Sequence, residues 1–272
     1  MTNRALKLKQ VVSWLLALVG HIQRQSGIPV LVYHSVDDSG SLTSVSPSLF
    51  RAQMEYLRDR GYHTIPLQEF LEYVQGEPRD PGGKAVVLTF DDGFKNNYTE
   101  AFPVLREYGF TCTIFLPTDY IGRTCDWARD KSIPKLPLLS WQDIRKMSDH
   151  GIDFGSHGCS HARLTRLPRD EIRAELLKSK SVMEAKLNKP VTFFCHPYGE
   201  TNKITQELTK ECGYSGAFGG IDFSLTNTKD RLYDLTRVGT AHFSSLQDFR
   251  AGVLGTYGCY IRIKQLRSLS RS

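Results

Sequence analysis

Short apolar, β-branched runs alternate along this chain with stretches whose apolar residues recur at helical spacing. The runs at 29–33, 85–90, 111–116, 152–155, 191–194, 214–218 and 235–239 read as strands. Between them, Phe50, Met54 and Leu57 follow Ser46-Pro47 at helical intervals, and proline suits a first helical turn. A second helical pattern covers 67–74, and a third follows Asn97 with Phe102 and Leu105 on one face. Ser140 and Asp143 look like a helix start. The longest pattern opens near Pro168, carries Ile172, Leu176, Met183 and Leu187, and stops at Asn188 before Pro190. Strand–helix alternation predicts parallel strands with right-handed crossovers. About seven such units predict an α/β fold, a single-domain (β/α) barrel over residues 29–248, with chemistry at the C-terminal ends of its strands. Residues 122–138 read as a long rim loop, and 249–272 as a basic, less regular tail.

Composition narrows this little. The chain has 272 residues, 40% hydrophobic and 24% charged, with net charge +6, as suits a globular domain. No basic stripe with interleaved aromatics appears, so nucleic acid is not an expected partner. None of the six cysteines forms a CxxC pair, which argues against a zinc knuckle or thioredoxin-type site, and Cys112 reads as a buried thiol. In the first segment, 1–28, Arg4, Lys7 and Lys9 precede the apolar stretch 11–20. That resembles a signal peptide without a small-x-small cleavage site, and it is too short for the roughly 20 residues that span a bilayer. The reading adopted is an uncleaved peripheral helix at the cytoplasmic membrane face, with export left open.

Three segments carry candidate chemistry, and each follows a predicted strand. Asp91-Asp92-Gly93 places two carboxylates side by side, an arrangement that is costly without a cation or donors, although a helix-capping pair is the alternative. Ser156-His157-Gly158-Cys159-Ser160-His161 sets two imidazoles four apart, able to reach one ion. One carboxylate and two imidazoles make three ligands and leave a position for water and substrate, as a catalytic site requires. The third segment, 191–199, ends in His196-Pro197-Tyr198-Gly199. A backbone N–H after Pro197 is a candidate oxyanion donor, and His196 is open to readings as ligand, acid or structural residue.

Thr89-Phe-Asp-Asp-Gly93, Ser156 to His161 and His196-Pro-Tyr-Gly199 resemble the first three motifs of the polysaccharide deacetylases, the NodB-homology esterases. The resemblance spans roughly residues 29–240 and implies a distorted (β/α) barrel with about seven parallel strands. It implies Asp92, His157 and His161 as ligands of one divalent ion, zinc first and nickel, cobalt or iron as alternatives. It implies Asp91 as general base and the Tyr198 N–H as oxyanion donor, with His196, Pro197 and Tyr198 at the substrate. Two departures stand out. Where many members have an arginine bonded to the base, this chain has Cys195, and no late Leu-x-His supplies the acid. The early Pro29-Val-Leu-Val-Tyr-His-Ser-Val36 instead resembles the branch that includes poly-β-1,6-N-acetylglucosamine deacetylases, which makes His34 the expected acid, ahead of His196 and His242. The implied activity is hydrolysis of the N-acetyl group of an amino sugar in a polysaccharide or glycolipid. The rivals are hydrolysis of another acyl amide or an O-acetyl ester, and a catalytically silent glycan-binding domain.

Overall fold

The computed structural model describes residues 27–77, 82–127, 135–223 and 225–261. Seven parallel strands close into a barrel. They are β1 (Val30–Tyr33), β5 (Lys84–Phe90), β6 (Thr113–Leu116), β7 (Asp153–Ser156), β8 (Phe193–Cys195), β9 (Gly216–Ile221) and β10 (Leu235–Gly239). Each pairs with the next, and β1 closes the ring by pairing with both β5 and β10. All seven fall on runs that the sequence pattern marks as strands. Three short strands escape that pattern. β4 (Tyr62–Thr64) lies against the first half of β5, on the edge whose second half receives β1. β2 (Ser35–Val36) and β3 (Ser44–Val45) pair with each other above the barrel. At two or three residues each, none is long enough to show a period.

Alternation along the strands builds two apolar layers. Val86, Leu88 and Phe90 of β5 join the cluster that packs strands against helices. Ala85 and Val87 join a second cluster with Val30, Phe115, Phe193, Cys195 and Phe218. The outer helices are α1 (Pro47–Asp59), α2 (Leu67–Gln75), α3 (Phe102–Tyr108), α4 (Trp141–Ser148), α5 (Arg169–Leu187), α6 (Lys203–Glu211) and α7 (Leu246–Val253). Their starts follow local chemistry. Ser46 caps α1, and Ser140 with Asp143 forms a capping box on α4. Helix α5 ends at Asn188 in the left-handed conformation. Helix α2 adds Leu67, Phe70, Leu71 and Val74 to the inner cluster, and so plugs the end of the barrel where the strands begin.

Two elements depart from expectation. Helix α6 has a weak apolar stripe, its buried residues being Thr205, Leu208 and Thr209, and its start is an Asn202–Thr205 capping box. The expected tail from 249 begins inside α7, where Phe249 is fully buried, and packing continues to Tyr257. Residues 1–26 and the basic positions Arg262, Lys264, Arg267 and Arg271 lie outside the described residues. Among those described, no helix is long and apolar enough to cross a membrane.

Candidate active site

The two adjacent carboxylates at the end of β5 face different partners. Alternation carries Asp91 inward, where it is 4% exposed and meets Arg237 of β10. That guanidinium is itself buried, with the rings of Phe115 and Phe218 at 5.7 and 5.2 Å. Nη2 also donates to the Cys195 sulfur at 3.0 Å. Burial opposes the charge of Asp91, but Arg237 outweighs it and holds the carboxyl well below the usual carboxylate range. Burial, reinforced by the neighbouring Asp91 and Asp92 carboxylates, pushes the Cys195 thiol up against the opposing pull of Arg237.

Asp92 turns the other way because its backbone is left-handed, with φ 69°. Gly93 continues the turn at φ 66°, where a Cβ would fall 2.4 Å from Leu116 Cδ2. Asp92 Oδ1 then lies 3.5 Å from His157 Nε2 and 3.1 Å from His161 Nε2. The ligand atoms of these three buried residues all lie within 4.8 Å of one another. Asp92 Oδ1 is buried without a hydrogen-bond partner, an expensive condition that a cation relieves. His157 Nδ1 contacts the Cys195 carbonyl at 2.7 Å, which leaves Nε2 as the free lone pair. Burial pushes the His157 pKa down to about 4, so the imidazole is neutral and able to ligate. A divalent ion therefore fits Asp92, His157 and His161. Asp91, His157 and Cys195 also cluster, but both Asp91 oxygens are committed to Arg237.

These groups line a cleft of about 530 Å³ at the C-terminal ends of the strands. His34, just beyond β1, lines it too, with Nε2 3.9 Å from Asp91 Oδ2. The rim loop contributes Trp127, which stacks on His161 at 4.6 Å. Tyr198 lines the cleft as well, its ring 4.7 Å from His161 and under the Arg163 guanidinium at 3.8 Å. The turn that carries it is closed by the N–H groups of Gly199 and Glu200, not by that of Tyr198. Among the described residues, apart from Asn188 on its helix end, the non-glycine residues with left-handed backbone are Asp92, His161 and Tyr198, all in this cleft.

Of the three residues expected at the substrate, only Tyr198 lines the cleft. His196 is fully buried and Pro197 is buried as well. The reason is alternation: β8 aims Cys195 at Asp91, so the His196 ring lies on the other face, 5.0 Å from Phe194. Burial pushes its pKa down to about 3. Arg237 was the functional residue missed. Its signal was an arginine in the middle of the apolar run 235–239, where a buried charge demands a partner.

The family model for polysaccharide deacetylase matches residues 78–217, just over half of the chain. The Bacillus subtilis (strain 168) protein YxkH, whose name assigns it provisionally to the polysaccharide deacetylases, is 32% identical over 71% of this chain and 64% of its own length. The Escherichia coli (strain K12) poly-β-1,6-N-acetyl-D-glucosamine N-deacetylase is 27% identical over 84% of this chain and 39% of its own. The chain thus spans less than two thirds of either relative. The crystal structure of BC0361, a polysaccharide deacetylase from Bacillus cereus, is 27% identical and superposes with a TM-score of 0.70, covering 84% of this chain and 69% of that one. With the three motifs, the barrel and this match together, the chain belongs to the polysaccharide deacetylase family.

Proposed function

We propose that the chain hydrolyses the N-acetyl group of amino sugars in a polysaccharide, with β-1,6-linked N-acetylglucosamine as the favoured polymer and zinc as the metal. The observation that carries this reading is the division of labour between two adjacent carboxylates, one committed to an arginine and the other to two imidazoles. The polymer is favoured because of the similarity to the Escherichia coli enzyme of that name and because the early strand delivers His34 to the cleft.

Asp92, His157 and His161 would hold the divalent ion, which when bound would supply Lewis acidity for an acetyl carbonyl and a lowered pKa for water. The chain's own groups do the rest. Asp91, kept ionised by Arg237, accepts a proton from the attacking water. The Tyr198 N–H faces the oxyanion, and His34 Nε2 delivers a proton to the departing amine. Tyr198 and Trp127 present ring surface for the apolar faces of sugars.

The test is to incubate zinc-loaded protein with β-1,6- and β-1,4-linked N-acetylglucosamine oligomers and to measure acetate and free amine. Equal release of both products, faster on the β-1,6 series and absent in Asp92→Ala, is expected. Acetate released only from O-acetyl esters would replace this reading with an esterase, and inertness on every acylated glycan would leave a binding domain.

A further inference from the structure

We infer that Glu175, on the outer helix α5, is a positioning residue for the metal site: its carboxylate holds the loop that joins His157 to His161. The inference rests on the metal-site reading above. It starts from a conformational problem. Both imidazoles must point at one ion, yet His161 has a left-handed backbone with φ 56°. A non-glycine residue there costs roughly 1–2 kcal/mol, so something outside the loop must hold it.

The loop is gripped on both sides of its peptide units. The carbonyls of Gly158 and Cys159 accept from the N–H groups of Thr118 and Asp119 at 3.1 and 3.0 Å. The N–H groups of Cys159 and Ser160 donate to Glu175 Oε2 at 2.6 and 3.0 Å. The Ser160 hydroxyl donates to Glu175 Oε1 at 2.6 Å. One carboxylate thus collects three donors from two consecutive residues, all between the two metal ligands. Charge-assisted bonds of this kind are roughly twice as strong as neutral ones. Lys178, less than one turn further along α5, pairs with Asp119 at 3.2 Å, so both grips are tied to the same helix. Gly158 makes room: at φ +79°, a Cβ there would stand 3.0 Å from Glu175 Oε2. Glu175 does not line the cleft, so it acts on the ligands and not on the substrate.

The experiment measures cobalt(II) affinity by chelator competition and the visible spectrum of the cobalt-loaded protein, beside the melting temperature of the metal-free form. Outer-shell partners of metal ligands typically contribute 10–100-fold in affinity, so Glu175→Ala should weaken binding by at least ~10-fold and shift the spectrum. Glu175→Gln, whose amide oxygen still accepts from both N–H groups, should recover most of the loss. Arg173→Ala, on the same helix as Glu175, breaks the exposed pair to Glu211 of α6 and should leave affinity unchanged. If Glu175→Ala does not fold, Ser160→Ala removes one of the three donors and should shift affinity in the same direction by less. Unaltered affinity and spectrum in Glu175→Ala or Ser160→Ala, with only the melting temperature lowered, would overturn the inference. Failure of the wild-type protein to bind cobalt would overturn the metal site and this inference together. Binding abolished by His157→Ala but indifferent to Glu175 would overturn this inference alone.

Discussion

Arg237 grips Asp91 at two points, with Nη1 2.7 Å from Oδ1 and Nη2 2.6 Å from Oδ2. Both partners are buried, so removing one strands the other charge. Arg237→Met should destabilise the protein by ~3–5 kcal/mol and abolish turnover. Asp91→Asn combined with Arg237→Met should regain much of the stability and none of the activity. Urea unfolding and acetate release check both, and a fully active Arg237→Met would remove the pair from the mechanism.

Metal content separates the roles of the neighbouring carboxylates. Purified protein should hold about one divalent ion per chain because, of the two sets of three ligand atoms that converge among the described residues, one contains Asp91, whose oxygens are held by Arg237. His157→Ala and Asp92→Ala should lose the ion, whereas Asp91→Asn should keep it and lose turnover. Elemental analysis decides, and full occupancy in His157→Ala would refute the ligand set.

For the proton donor, the structure offers a sharp contrast between two histidines. His34 lines the cleft beside Asp91, whereas His196 is sealed away from it. His34→Ala should lower kcat by about 10²–10⁴-fold without changing metal content, in keeping with loss of a general acid. His196→Phe should leave kcat within a few-fold of wild type. The reverse pattern would reassign the acid.

Buried neutral histidines also set an acid limit on stability. His157 and His196 titrate near 4 and 3 in the folded protein, against 6.5 when exposed. Below 6.5 the unfolded chain takes up these protons first, so stability falls as pH drops toward 4. Each group contributes up to about 1.4 kcal/mol per pH unit across that window. In metal-free protein, His196→Phe should flatten the slope by about that amount between pH 6 and 4. An unchanged slope would show that His196 is already protonated in the fold.

Much of this site is legible in the sequence because its motifs lie directly after strands, where alternation and strand order do the positioning. Asp91, Asp92, His157 and His161 come together for that reason. His196 misleads because it stands one residue past the inward position, and a single step along a strand reverses a side chain's face. Arg237 is silent for the opposite reason. Its partner lies 146 residues away, and only closure of the barrel brings the two together. Helix α6 is hidden because two of the three residues on its buried face, Thr205 and Thr209, are threonines, which hydrophobic periodicity does not count.

Strand β1 is the last stave of the ring, joined to β5 and to β10. The latter contact unites residues about 200 positions apart in the chain, a separation that makes it a slow, late event in folding. His34 follows β1, which pairs directly with β5, whereas Arg237 lies on β10, so the charge partner of Asp91 comes from the last part of the ring to be made. During synthesis, Asp92, His157 and His161 can gather long before residue 237 leaves the ribosome. Chain order thus lets the three candidate metal ligands come together before the arginine that holds Asp91 has been made.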